Sequence, residues 1–332
     1  MANYPPSAEE IASLIQRYDR IVVTSHINPD GDAIGACGVV SYILKALGKR
    51  FIIYNATGIP YHLEWVPLPT KVITKLMDIP FKPELFIILD CGDIWRLGRE
   101  LSSCLLEYQS INIDHHIGNP NFGTLANWVE PKAAATGQLV AAIAEVIGIP
   151  LTGELAQCLY LSIVTDTGSF AYSNTSPGVL HLAAKLIELG LNPSPIREQL
   201  DNQWPLAKFH LWGKLMQKIQ LEYDGQIAIS AVTLKTITDF GATKEDLEGF
   251  TEQIRKIKGV RVAALVREDP GESCKVSLRS SGTDNVQAVA IQFGGGGHFN
   301  AAGATIHEPI ETAVKQILEA IQKITFSTTD VD

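Results

Sequence analysis

Cysteine, basic charge and long apolar runs are all scarce in this chain of 332 residues. Its five cysteines are an odd number, with no Cys-x-x-Cys pair and no repeated spacing. That argues against a disulfide framework and against a cysteine-held zinc site. No apolar run approaches the roughly 20 residues that a membrane-spanning helix needs. The opening residues MANYPPSAEE hold no basic segment followed by an apolar one, so no signal peptide is expected. Together these shortages point to a reducing compartment, the cytoplasm, and to no membrane partner. Lys and Arg number 27 against 36 Asp and Glu, a formal charge of −9. A protein that tracks a long polyanion needs an extended basic surface, and the chain as a whole has none. Internal repeats and low-complexity stretches are missing too. What is present suits a globular protein: 46% hydrophobic and 19% charged residues suffice for a buried core in one large domain or two ordinary ones.

The charge is uneven. Between Arg255 and Arg279 there are seven basic residues and three acidic ones. An acidic region able to hold metal and a locally basic segment able to hold phosphate are one reading; on charge alone, a solvated face explains the basic segment as well.

The first two thirds alternate strand-like and helix-like segments. Ser7 and Glu10 have capping-box spacing, opening a helix to about Tyr18. The β-branched run 21–25 predicts a buried strand, the turn Asn28-Pro29-Asp30-Gly31 comes next, and a helical pattern runs over 32–47 to stop at Gly48. Strands are expected at 51–54, 85–89 and 110–113, the second apolar throughout, as in a central parallel strand covered on both faces. Helices are expected at about 135–147 and 153–165. This alternation predicts an α/β doubly wound, mostly parallel sheet. The segment Gly190-Leu-Asn-Pro-Ser-Pro195 breaks a helix, and 196–218 reads as one or two connecting helices. Beyond it, strands at 227–232, 260–266 and 274–278, with helices at 244–254, 285–292 and 310–324, predict a smaller α/β domain. The expected division is a first domain at 1–190, a helical linker at 191–222 and a second domain at 223–332.

In open parallel sheets, ligands bind beyond the carboxyl ends of the strands. Three such ends carry chemistry: His26-x-x-x-Asp30-x-Asp32, Asp90-Cys-Gly-Asp93 and Asp114-His115-His116. A fourth cluster, Asp166-Thr-Gly-Ser, ends a helical pattern. Each alone has a plain structural reading as a turn, a cap or a helix terminus. Together they would crowd carboxylates that repel one another and raise each other's pKa values, a burden that cations relieve. Imidazole and carboxylate without thiolate disfavour structural zinc, and histidines disfavour calcium. Mn²⁺ fits, with Fe²⁺, Co²⁺ and Mg²⁺ as alternatives. The donors outnumber the needs of one ion, whereas two ions about 3.5–4 Å apart would use them all. Such a pair suits phosphate-ester hydrolysis.

These motifs resemble those of the DHH phosphoesterases over nearly the whole chain. His26-x-x-x-Asp30-x-Asp32, Asp90, Asp114-His115-His116 and Asp166 resemble the family's four ordered motifs. Gly294-Gly295-Gly296-Gly297-His298 with Ala301-Ala302-Gly303 resembles the signature of the DHH-associated C-terminal domain. The resemblance implies one metal ion at His26, Asp30 and Asp90 and another at Asp32, Asp90, His115 and Asp166, with Asp90 bridging. It implies that Asp114 orients the histidines and that His116 faces the scissile phosphate. Cys91 receives no role from it. The two-domain plan is similar to the branch of nanoRNases and 3′-phosphoadenosine 5′-phosphate phosphatases.

The resemblance also implies that the second domain grips the far end of the substrate across an interdomain cleft that holds the active site. Consecutive glycines expose backbone N–H groups to a phosphate, which makes Gly295, Gly296, Gly297 and the adjoining His298 candidates. Arg279 and Ser280 end an expected strand, where a guanidinium can fork onto phosphate or stack on a base. Arg261 lies in the basic segment; a plain surface arginine is its other reading. The expected activity is metal-dependent hydrolysis of short oligoribonucleotides such as pApA or pGpG to monophosphates, with no long nucleic acid as partner. The alternatives are a 3′-phosphoadenosine 5′-phosphate phosphatase, in the same enzyme or instead, and a nucleotide-sensing binding protein. A homodimer is compatible with the family.

Overall fold

The computed structural model describes residues 6–202 and 204–323. The chain divides into two compact units, Met1–Gln203 and Trp204–Asp332.

The first unit is built on six parallel strands, β1 (Arg20–Ser25), β2 (Arg50–Tyr54), β3 (Val72–Ile73), β4 (Leu85–Leu89), β5 (Ser110–Asp114) and β6 (Ala126–Val129). They lie in the order β3-β2-β1-β4-β5-β6. Its helices are α1 (Pro6–Arg17), α2 (Gly31–Ala46), α3 (Arg99–Cys104), α4 (Thr136–Ile147), α5 (Gly153–Asp166), α6 (Pro177–Glu188) and α7 (Ser194–Asp201). The core strands are apolar on both faces because both faces are covered. Ile21, Val23, Leu85, Ile87, Leu89, Ile111 and Ile113 pack with α1, α2, α4 and α5. Val22, Tyr54, Phe86 and Ile88 pack with Leu101 and Leu105 on the other side. Burying each such aliphatic side chain contributes about 1.5–3 kcal/mol.

The strand order reverses between β1 and β4, and such a switch point opens a crevice at the carboxyl edge. Register then aligns three functional positions. Ser25 pairs with Leu89 and Leu89 with Ile113, so His26, Asp90 and Asp114 come next at one level on three adjacent strands.

The second unit has a mixed sheet of β7 (Gln220–Glu222), β8 (Ile227–Val232), β9 (Val262–Asp269), β10 (Ser273–Ser280), β11 (Gly296–His298) and β12 (Ala301–Ile306). The order is β11-β12-β10-β9-β8-β7; β8 and β9 are parallel and the other pairs antiparallel. Helices α8 (Leu206–Met216), α9 (Leu234–Asp239), α10 (Phe250–Ile254), α11 (Val286–Ile291) and α12 (Ile310–Ile321) cover it. Val276 and Leu278 bury with α11 and α12, whereas Ala263 and Leu265 bury with α8 and α10. No helix among the described residues is long and apolar enough to cross a membrane.

Several local expectations need correction. Helix α1 begins at Pro6, so Ser7 lies inside it and does not cap it. The helix expected over 244–254 is a 3₁₀ turn at Glu245–Leu247 followed by α10, because Gly249 adopts φ +85° and interrupts the run. Strands β6 and β12 were not expected from sequence pattern. β6 buries Trp128 but leaves the rest of the strand partly exposed, and β12 is rich in Ala and Gly, which have little strand preference. The last expected helix reached Ile324, which lies outside the described residues.

Candidate active site

Each candidate ligand is delivered by a different local device. Asp30 caps α2, its Oδ1 accepting the N–H groups of Asp32 and Ala33, both at 3.1 Å. Asp32 sits in the first turn and is 1% exposed. The positive end of the α2 dipole favours both carboxylates. Asp90 leaves β4 in the left-handed region, at φ +52°. A non-glycine residue there costs about 1–3 kcal/mol, strain of a kind that clusters at active sites. Asp166 is the last residue of α5.

Two groups of donors meet at Asp90. Its Oδ2 lies 3.4 Å from His26 Nε2, which is 3.9 Å from Asp30 Oδ1. Its Oδ1 lies 3.5 Å from His115 Nε2, which in turn is 3.6 Å from Asp32 Oδ2 and 3.4 Å from Asp166 Oδ2. One carboxylate therefore turns one oxygen to each group. Ligand atoms lie within 4.8 Å of one another in three groups that could hold a metal ion: His26, Asp30 and Asp90; Asp32, His115 and Asp166; and Asp90, His115 and His116.

Both histidines turn Nε2 toward the carboxylates. His26 Nδ1 contacts the Ile27 carbonyl at 2.8 Å, and His115 Nδ1 contacts the Ala133 carbonyl at 3.2 Å. A proton on each Nδ1 leaves Nε2 as the free donor atom. His116 is held in the opposite sense. Its Nδ1 donates to Asp114 Oδ1 at 2.7 Å, so Nε2 is the nitrogen left for an outside partner. Asp114 is fully buried and takes a second hydrogen bond, 2.6 Å, from Asn119 Nδ2 to Oδ2.

The electrostatics record an excess of carboxylate. Burial and the charges of Asp90 and Asp166 push the Asp32 carboxyl up, and burial pushes Asp166 up to about 6. Burial opposes ionisation of Asp90 as well, but hydrogen bonds from His115 and His26 hold it well below the usual carboxylate range. Burial disfavours charged His26 and His115, yet the facing carboxylates raise both to about 10. The donor set, nitrogen and carboxylate oxygen without sulfur, fits a divalent metal ion. Cys91 is buried, its thiol pushed up to about 12 by burial, and it belongs to none of these groups.

Several supporting residues were not singled out by sequence pattern. Asp32 accepts the N–H groups of Thr136 at 2.7 Å and Gly137 at 3.1 Å and the Ser162 hydroxyl. Gly137 has to be glycine, since a Cβ there would lie 1.9 Å from Ser162 Oγ. Ser162 stands one turn before Asp166 on α5, a spacing that puts both on one face. That spacing, and Asn119 five residues after Asp114, were the available signals.

The second unit places its candidates unequally. Arg279 and His298 both pair with Ala301, so they share one face of one cross-strand row, about 10 Å apart across two strand spacings. Arg279 is ion-paired with Glu252. Ser280 comes after Arg279 and points to the opposite face; it is 6% exposed, and its hydroxyl donates to the Asp284 carbonyl. Arg261 pairs with Asp284 and with Gln226. In the glycine run, Gly295 and Gly297 pack tightly against β12; a Cβ on Gly297 would lie 2.5 Å from the Ala301 carbonyl, and its φ is +138°. Gly296 has open space around it.

Comparison with known proteins finds one family match in each unit. Residues 20–163 match the model of the DHH family N-terminal domain, and residues 224–325 match the DHHA1 domain. The bifunctional oligoribonuclease and PAP phosphatase NrnA of Thermus thermophilus is 34% identical over 91% of this chain and 89% of its own length. The Bacillus subtilis protein of the same name is 27% identical over 90% and 93%. Among solved structures, an exopolyphosphatase-related protein from Bacteroides fragilis superposes with a TM-score of 0.88 at 26% identity, covering 97% of this chain and 98% of the other.

Proposed function

The chain belongs to the DHH phosphoesterase family, in the nanoRNase branch, and from that premise we propose that it hydrolyses short linear oligoribonucleotides, such as pApA and pGpG, to nucleoside monophosphates. The two curated relatives carry oligoribonuclease and PAP phosphatase in one name, which supports removal of the 3′-phosphate from 3′-phosphoadenosine 5′-phosphate as a second activity of the same site.

The observation that carries the reading is the placement of Asp90, one oxygen toward each donor group. His26, Asp30 and Asp90 would hold one divalent ion, and Asp32, Asp90, His115 and Asp166 the other, with Mn²⁺ as first choice and Mg²⁺, Co²⁺ or Fe²⁺ as alternatives. Ions so held supply Lewis acidity toward a phosphoryl oxygen and lower the pKa of a bound water. The protein's own groups do the rest. Asp114 keeps the proton of His116 on Nδ1 and favours the imidazolium. His116 Nε2 then offers a hydrogen bond to the scissile phosphate and a proton to the leaving ribose oxygen. Thr136, Gly137 and Ser162 hold Asp32 in its ligating orientation. Arg279, His298 and the open backbone at Gly296 are the second unit's candidates for the distal nucleotide; the Gly295 N–H is taken by the Ala290 carbonyl, at 2.9 Å, and Gly297 packs against β12. Ser280 and Arg261 brace the end of β10 and the turn at Asp284. One or two phosphates need few basic contacts, in keeping with the acidic net charge. A nucleotide-sensing protein with a dead site is disfavoured by the intact donor sets.

Product analysis with Mn²⁺ on pApA, on a 5′-labelled RNA of about twenty-four nucleotides, and on 3′-phosphoadenosine 5′-phosphate tests the reading. Fast conversion of pApA to AMP with slow attack on the long RNA is expected. Hydrolysis of the bisphosphate alone would overturn the oligoribonuclease reading, and equal rates on the short and long RNA would overturn the length preference.

A further inference from the structure

We propose that Trp95 and Arg96 form a nucleotide subsite on the rim of this active site, the Trp95 indole stacking on a substrate base and the Arg96 guanidinium pairing with that nucleotide's phosphate. The proposal deepens the nucleotide reading above and rests on it.

Trp95 is 73% exposed. A single exposed apolar residue is ordinary and needs no explanation; here the support beneath it is the telling feature. Trp95 and Arg96 lie in a 3₁₀ turn, Ile94–Leu97, that begins four residues after Asp90. The backbone leading to that turn is fixed at each step. The Cys91 carbonyl accepts the side-chain amides of Asn112 and Asn119, at 3.3 and 3.2 Å. Asp93 caps the turn, its Oδ1 accepting the Trp95 N–H at 2.9 Å. The Arg96 carbonyl accepts the Ile27 N–H at 2.7 Å, and the Ile27 carbonyl is the partner of His26 Nδ1.

These contacts also locate the turn. A Cβ at Gly92 would stand 3.0 Å from the Cβ of His116, and Arg96 is bonded to the residue next to His26. The stretch from Gly92 to Arg96 therefore runs from His116 to His26 along the edge of the metal-binding groups. Ile117, directly after His116, is 89% exposed and adds a second apolar surface at the same rim. A loop this firmly tied presents its side chains pre-organised, which lowers the ordering cost of binding.

The chemistry matches a nucleotide. An indole face stacks on any base, so recognition is strong and tolerant of sequence. The ligand groups beside it are rich in carboxylate and repel a phosphate until cations are bound. Arg96 is exposed, and no partner for its guanidinium occurs among the described residues; its planar fork suits phosphate oxygens. Asn112 and Asn119 link the subsite to catalysis, because Asn119 holds both the Cys91 carbonyl and Asp114.

The test compares Trp95→Ala, Trp95→Phe and Arg96→Gln with the wild type. The readouts are steady-state hydrolysis of pApA, AMP binding by equilibrium dialysis, and metal content. For Trp95→Ala the KM for pApA is expected to rise about 10- to 100-fold, the size of a lost stacking contact, with AMP binding weakened in parallel and metal content retained. Trp95→Phe keeps a ring and should recover most of the loss. Arg96→Gln should raise KM more for pApA than for ApA, which lacks the 5′-phosphate. Wild-type turnover of pApA with unaltered KM and AMP binding in Trp95→Ala would overturn the subsite and leave the proposed activity standing. AMP binding that depends on Trp95 in a protein unable to cleave pApA would do the reverse.

Discussion

Replacing Asp114 with Asn removes a charge without changing the shape of the side chain, and the surrounding hydrogen bonds dictate the consequence. In the wild type, Asp114 Oδ1 accepts from His116 and Oδ2 accepts from Asn119. The hydrogen bond to Asp114 raises the His116 pKa above its ordinary value, ahead of the opposing effect of burial. In the variant only one oxygen remains. Keeping it toward Asn119 turns the new amide N–H₂ toward His116 Nδ1, which must then accept instead of donate. Turning it toward His116 sets two amide N–H₂ groups against each other. Either way the carboxylate that stabilises the imidazolium is lost, and near neutral pH with it much of a positioned proton donor worth about 10²–10⁴-fold in rate. The pH dependence has a definite sign. A raised pKa keeps His116 protonated to higher pH, so the variant's deficit in kcat should be largest at about pH 8 and should narrow toward about pH 6, where even an unperturbed imidazole is substantially charged. Metal content should stay at the wild-type level, because Asp114 belongs to neither donor group around Asp90. Rate profiles on pApA with parallel metal analysis read all three quantities. An Asp114→Asn enzyme with wild-type kcat and an unshifted profile would refute the role given to His116.

Asp90→Ala takes a donor from both groups at once and should abolish turnover and lower metal content; normal turnover would sink the shared-carboxylate model. Ser162→Ala frees one oxygen of Asp32 and should weaken metal affinity about 10- to 100-fold in a metal titration, leaving the maximal rate at saturating metal little changed. Arg279→Ala should raise KM for pApA by about tenfold or more, the worth of a hydrogen bond from a charged group, with the metals in place; a metal-free variant would contradict its assignment to the distal nucleotide.

The legible parts of the fold were strands buried along all or nearly all of their length. β4 and β5 read directly as strands because both faces of their sheet are covered, and 227–232 matched β8 to the residue. β6 and β12 were missed because each opens on residues with little strand preference, Ala126-Asn127 and Ala301-Ala-Gly-Ala304, and their few strand formers make too short a pattern to read before pairing. In the candidate site, Asp and His betray themselves by type and by position at strand ends. Thr136, Ser162 and Asn119 are common neutral residues, and what they do appears only after folding. Ser162 meets Asp32 across 130 positions and Thr136 across 104. The alternation of a strand also separates Arg279 from Ser280, which adjacency in sequence had grouped. The pairing of both Arg279 and His298 with Ala301 is a fact of register that no local pattern carries.

The most direct measurement is metal stoichiometry joined to rate. Metal-stripped protein is titrated with Mn²⁺, bound metal is counted per chain by elemental analysis, and pApA hydrolysis is followed at each point. Two ions per chain are expected, with turnover appearing as the second site fills and both ions depleted in Asp90→Ala. Full activity with one ion or none bound per chain would contradict the two-ion account.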